Sequence, residues 1–183
     1  MSAESKEQLR KEMREKRDSM SESERMQKNG EIMKQLFGLE ELKRAKCVAF
    51  YLSKGSEVGT FEMIKKAMTL GKEILVPHTN DEIEFVKFSS FEELVPAKFG
   101  ILEPRSLTAE ARNPDIIILP GLAFDSDMHR LGYGKGYYDK LLKKLKSLRI
   151  GICFDSQLVE RIPRHEHDER MDLIISEKRI LRE

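Results

Sequence analysis

The 183-residue sequence predicts an α/β fold, and three features predict it. Near-continuous apolar runs recur at Cys47–Leu52, Ile116–Leu119 and Ile150–Phe154, the pattern of parallel strands buried on both faces. A helix-forming segment lies between the first of these runs and Ile74–Pro77. Strand, helix and strand at that spacing make a βαβ unit, which implies parallel pairing and a right-handed crossover. Last, a strand at Asp115–Leu119 leads into alternating glycines and a helix start. Such folds hold phosphates with that combination.

The elements follow in chain order. Residues 1 to 20 predict a helix, with Ser5 and Gln8 in a capping-box pattern and Leu9, Met13, Lys16 and Met20 near one face. Lys6, Arg10, Arg14 and Arg17 recur at spacings of three and four and form a basic stripe. The stripe is either a solvated face or a row of cations brought to an anion. Ser21 and Glu24 form a second capping box, opening a helix to about Phe37 that Gly38 ends. The two helices form a hairpin expected to pack on the main fold.

Cys47–Leu52 is the first strand and runs into the loop S-K-G-S-E-V-G-T. Thr60 is placed to cap a helix to about Leu70, with Phe61, Ile64, Ala67 and Met68 inward and Gly71 as its stop. Ile74–Pro77 is a strand, Asp81-Glu82 a turn, and Ile83–Phe88 alternates as an edge strand does. Ser89–Pro114 reads as an irregular excursion with at most one short helix. Segments of that length in a compact domain often wall a site. After Asp115–Leu119 and the glycines, a helix is expected from Tyr137 through Leu141, Leu142, Leu145 and Leu148. Ile150–Phe154 is a strand, Gln157–Arg161 a helical turn, 163–170 a polar loop, Met171–Ser176 a strand and Lys178–Leu181 a short last one.

Length, with no linker or repeat, favours a single domain over residues 1–183. Charged residues make up 36% of the chain but balance, 33 basic against 32 acidic. That balance argues against a general nucleic-acid or membrane surface and leaves room for a local basic pocket. Cys47 and Cys153 sit in apolar runs and read as buried free thiols. The N-terminus is polar, with no secretory signal, and no apolar run is long enough to cross a bilayer. A cytoplasmic protein is expected.

The chemistry concentrates in R-L-G-Y-G-K-G-Y-Y-D, Arg130 to Asp139. Its spacing is neither a Walker P-loop nor a dinucleotide fingerprint. Alternating glycines alone also serve as a tight turn with positive φ. Their company points further. Gly132, Gly134 and Gly136 can present bare backbone to an oxyanion, and Arg130 and Lys135 supply full positive charge. Asp139 stands where a carboxylate can hold Mg²⁺ on the same phosphates. A nucleoside triphosphate needs these parts together. Tyr133, Tyr137 and Tyr138, three of the four tyrosines in the chain, can wall an aromatic ligand.

L-P-G-L-A-F-D followed by R-L-G-Y-G-K-G-Y-Y-D resembles the 5-formyltetrahydrofolate cyclo-ligase (5,10-methenyltetrahydrofolate synthetase) family. The resemblance extends to Lys6-Glu7-Gln8-Leu9-Arg10, to Phe50-Tyr51-Leu52 with Glu57, and to Pro163, Glu166, His167-Asp168 and Asp172. It implies a three-layer α/β/α fold with a mixed, mostly parallel central sheet. It also implies ATP- and Mg²⁺-dependent closure of 5-formyltetrahydrofolate to 5,10-methenyltetrahydrofolate, with ADP and phosphate released. The implied roles are Lys6, Arg10, Arg130, Gly132, Tyr133, Gly134, Lys135, Gly136, Tyr137 and Tyr138 on ATP, with Arg130 and Lys135 catalytic. Leu52, Glu57, Tyr133 and Tyr137 would bind the folate, and Asp139 and Asp172 would bind Mg²⁺. The implied partners are those two small molecules, for a monomer acting without nucleic acid or membrane.

Two departures are small: members vary between Lys and a small residue at Lys135, and Thr is common where Ser176 stands. His165 and His167 with Glu166 and Asp168 are a poor zinc site for want of a second cluster; they are expected to shape the loop before Asp172. The rival readings are a kinase or sugar-phosphate isomerase using the same loop, and a nucleotide or RNA binder using the Lys6–Arg17 stripe.

Overall fold

The computed structural model describes residues 3–79, 82–97, 100, 102–105, 113–163 and 168–183. Its centre is a seven-stranded sheet whose parallel strands are β1 (Cys47–Phe50), β2 (Glu73–Thr79), β6 (Ile116–Leu119), β9 (Leu148–Ile152) and β11 (Leu173–Ile175). The antiparallel edges are β3 (Ile83–Phe88) and β12 (Ile180–Arg182), giving the order β12-β11-β9-β6-β1-β2-β3. The sheet is therefore mixed and mostly parallel. β1 and β6 are buried at every position, as strands covered on both faces must be.

One face is covered by α2 (Glu22–Gly38), α3 (Glu40–Arg44) and α4 (Phe61–Thr69), whose Ile32, Leu36, Leu42, Met63, Ile64 and Ala67 join one apolar cluster. The other face carries α5 (Tyr137–Leu142) and a small sheet of β7 (Ala123–Asp125), β8 (Arg130–Leu131) and β10 (Leu158–Val159). Phe124 anchors this side. A Cβ on Gly121 would come within 2.6 Å of its ring, and one on Gly151 within 2.4 Å, so the ring lies where two side chains are missing. α1 (Ala3–Asp18) rests on the small sheet, Met13 packing with Leu122, Ala123, Leu131 and Ile162. The N-terminal hairpin thus divides, α2 on the central sheet and α1 on the small one.

Ser21 caps α2 as expected, its hydroxyl accepting the Glu24 N–H. The Ser5 cap fails, because the helix already runs from Ala3 and Ser5 lies inside it. Thr60 is not a side-chain cap for α4 either. Its hydroxyl donates to the Tyr51 carbonyl at 2.7 Å and accepts the Ser53 N–H at 3.1 Å, closing the loop between them. The excursion holds a 3₁₀ turn at Phe91–Glu93 and a ribbon of β4 (Leu94–Pro96) and β5 (Leu102–Pro104) that the sequence pattern did not show. The expected turn at Gln157–Arg161 is a 3₁₀ turn at Asp155–Gln157 followed by β10. α5 stops at Leu142, well short of Leu148, which instead opens β9. His165, Glu166 and His167, with Asp81 and parts of the excursion, lie outside the described residues.

Candidate active site

A cavity of about 810 Å³ opens at the carboxyl ends of β1 and β6, under the inward face of α1. Its size suits a substrate or cofactor pocket. Thirteen of the predicted site residues line it together: Lys6, Arg10, Leu52, Glu57, Arg130, Gly132, Tyr133, Gly134, Lys135, Gly136, Tyr137, Tyr138 and Asp139.

The glycine loop is shaped by its backbone. Gly134 has φ +94° and Gly136 φ +65°, conformations in which a side chain is strained. Arg10 crosses the loop, its Nε donating to the Gly132 carbonyl at 3.0 Å. A Cβ on Gly134 would sit 3.3 Å from the Arg10 guanidinium, so the glycine also admits the cation. Gly136 opens α5, only six residues long, so the positive charge at this loop comes from side chains more than from a helix dipole.

Arg130 is buried, yet its guanidinium is anchored three ways. Nη1 donates to the Pro120 carbonyl at 3.2 Å and Nη2 to Asp139 Oδ1 at 3.1 Å. The guanidinium also lies 5.4 Å from the centre of the Tyr138 ring, a cation–π arrangement. Its buried Nε has no hydrogen-bond partner among the described residues. Lys6, only 8% exposed, pairs with Asp168 at 2.8 Å. Lys135 lies 5.9 Å from the centre of the Tyr137 ring. The basic stripe of α1 is therefore turned inward: Lys6, Arg10, Arg14 and Arg17 all line the cavity.

Across the cavity, Glu57 sits in a loop stapled by Tyr51, whose hydroxyl donates to the Val58 carbonyl at 2.7 Å. Glu57 Oε2 accepts the Lys54 N–H at 2.8 Å, and Oε1 accepts the Tyr133 hydroxyl in a short bond. Burial first, and the Glu57 charge second, push the Tyr133 phenol well above the usual tyrosine range. Burial raises the Tyr138 phenol too, against the lowering effect of Arg130. Both rings stay protonated and neutral at physiological pH.

Asp172 is not brought to this cavity. Its Oδ2 accepts the Arg149 N–H at 2.7 Å, which ties the start of β11 to β9. Asp168, four residues earlier, is the aspartate of that segment that reaches the cavity. Among the described residues no group of three or more His, Cys, Asp or Glu could hold a metal ion. Asp139 and Asp168 both line the cavity, and Mg²⁺ binds through one or two carboxylates and substrate phosphates rather than in an all-protein cage. Sequence reasoning also passed over Glu103, which reaches the cavity from β5 and had no motif to mark it.

A mostly parallel sheet whose carboxyl edge opens on a cationic, glycine-lined cavity is the layout of an α/β enzyme. The family model for 5-formyltetrahydrofolate cyclo-ligases matches residues 2–177, and the chain belongs to this family of ligases. The probable 5-formyltetrahydrofolate cyclo-ligase of Schizosaccharomyces pombe is 32% identical over 82% of this chain and 84% of its own length. The 5-formyltetrahydrofolate cyclo-ligase of Mus musculus is 30% identical over 92% of both. The NMR structure of Aquifex aeolicus 5,10-methenyltetrahydrofolate synthetase superposes with a TM-score of 0.87 at 36% identity, covering 97% of this chain and 92% of that one.

Proposed function

We propose that the protein closes 5-formyltetrahydrofolate to 5,10-methenyltetrahydrofolate at the expense of ATP, releasing ADP and phosphate. The observation that carries this is the meeting of Lys6, Glu57, Arg130 and Asp139, from distant parts of the chain, around one cavity.

The N5-formyl group is amide-like, and its oxygen leaves poorly. Transfer of the γ-phosphoryl group to that oxygen turns it into a phosphate leaving group. N10 of the same molecule then attacks the formyl carbon, and the ring closes with the advantage of an intramolecular reaction. The protein's task is alignment and charge. Arg130 and Lys135 offset the charge on the transferred group, and Lys6 and Arg10 hold the remaining phosphates over the backbone of Gly132, Gly134 and Gly136. Asp139 holds Arg130 in a fixed pose before any ligand arrives. Glu57 accepts the amino and ring N–H groups of the pterin, for which an ionised acceptor is suited. Leu52, Tyr133 and Tyr137 wall the ring, and Tyr138 backs Arg130.

Asp139 and Asp168 would hold Mg²⁺, which would supply further charge neutralisation at the phosphates. This replaces Asp172 by Asp168 in the metal site. We further take the protein to be a single-domain cytoplasmic monomer acting on two small molecules, with no nucleic acid or membrane.

The test is the absorbance of methenyltetrahydrofolate in a mixture of protein, 5-formyltetrahydrofolate, ATP and Mg²⁺. A rise that requires ATP is expected. A folded preparation that gives no rise sinks the proposal.

A further inference from the structure

We propose that Arg17 is a positioning residue that aims Tyr133 and Glu57 at the folate ring, and so sets folate affinity without touching the reacting atoms. The role rests on the function proposed above and adds to it a determinant in the last turn of α1.

Arg17 is only 6% exposed. A buried guanidinium is costly unless its N–H groups are satisfied. Its neighbours on the stripe turn elsewhere, Lys6 to Asp168 and Arg10 to the Gly132 carbonyl. Arg17 instead forks across two hydroxyls: Nε donates to Ser56 Oγ at 2.9 Å and Nη1 to Tyr133 Oη at 3.0 Å. Its guanidinium carbon lies 6.0 Å from the centre of the Tyr133 ring.

Donor chemistry gives this network a direction. A guanidinium has donors and no acceptor. Both hydroxyl oxygens must therefore accept from Arg17, which leaves each hydroxyl proton for another partner. Ser56 passes its proton to Asp18 Oδ1, and Tyr133 passes its own to Glu57 Oε1, both in short bonds. The order Arg17, Tyr133, Glu57 is thus set by which atoms carry protons. Oε2 of Glu57 is held separately by the Lys54 N–H. A carboxylate offers about four lone-pair directions. Two are used in holding it, and the others serve a ligand's N–H groups. Arg17 fixes points on two separate segments at once, Ser56 beside Glu57 and Tyr133 in the glycine loop. A single ammonium cannot reproduce that planar fork.

The experiment compares wild type, Arg17→Met, Arg17→Lys, Tyr133→Phe and the Arg17→Met/Tyr133→Phe double variant. It measures kcat, KM for each substrate, and calorimetric binding of 5-formyltetrahydrofolate without ATP. Arg17→Met is expected to weaken folate binding and raise folate KM about tenfold, with ATP KM and kcat within about twofold, since the lost contacts aim a charged acceptor. Arg17→Lys should lie between it and wild type. In the Tyr133→Phe background the same change should cost about twofold or less, because the relay is already cut. Should Arg17→Met fail to fold, Arg17→Lys and Ser56→Ala carry the comparison. An active wild type whose folate KM ignores Arg17, or an Arg17 effect equal in both backgrounds, overturns the inference and leaves the function standing. A wild type that neither turns over nor binds the folate removes the function and this role together.

Discussion

Helices α1 and α4 are both amphipathic, and they bury opposite kinds of surface. α4 turns Met63, Ile64 and Ala67 into the core and leaves Glu62 and Lys65 outside, where they pair at 2.7 Å. α1 does bury Met13, but it also turns Lys6 and Arg17 inward, at 8% and 6% exposure. α4 is held by apolar area, with ~1.5–3 kcal/mol for each fully buried large side chain. The inward cations of α1 are held by named partners: Asp168, the Gly132 carbonyl, Ser56 and Tyr133. A buried charge tolerates no approximate partner, so α1 must be placed more strictly than its apolar contacts require. α4 supports the fold; α1 is a wall of the site.

Substitutions can break that contrast. The largest effect is expected from Met63→Ala in α4, a loss of ~2–5 kcal/mol by cavity formation, read by denaturant unfolding. Its KM values should match wild type wherever the variant is folded; altered KM values would show that α4 shapes the site. Lys6→Met in α1 should come next, with kcat/KM for ATP down about tenfold from the loss of the cation proposed to hold ATP phosphates. A stability loss with unchanged kinetics would make Lys6 a structural ion pair and erase the distinction. Lys65→Ala on the solvent face of α4 should change stability by no more than ~0.5 kcal/mol and leave kinetics alone, as exposed pairs contribute little. A larger loss would mean that the outer face of α4 does more than meet water.

The parallel core was legible because its strands lie in near-continuous apolar runs whose burial admits few alternatives. The ribbon of β4 and β5 and the small sheet of β7, β8 and β10 were not, since strands of two or three residues carry no period. The helix after the glycine loop was overdrawn for a physical reason. Leu148 continues the helical spacing, but it pairs with Ile116 in the sheet, and Ser147 Oγ donates to the Pro114 carbonyl. Sheet pairing overrode local periodicity. Every residue that the motifs named for the site lines the cavity except Asp172. Asp168 lines it and Asp172 does not, because which of two aspartates four apart faces the cavity depends on where β11 enters the sheet. On the strand side, Asp172 meets the Arg149 N–H; just before it, Asp168 meets Lys6. The inward turn of Arg17 was present in the stripe, but the stripe alone could not distinguish a solvated face from a wall.

Phe124 carries a consequence for how this sequence can change over time. Its ring fills space that side chains at Gly121 and Gly151 would otherwise claim, one in the connection between β6 and β7 and one in the central sheet. Gly151 has no left-handed backbone to excuse its lack of a side chain; the ring alone forbids one. The three positions are therefore sterically coupled. An alanine at 151 becomes admissible only after the aromatic ring at 124 has shrunk, and a chain that has made the first change is free to make the second. Substitutions here have an order, and that order is written in the packing.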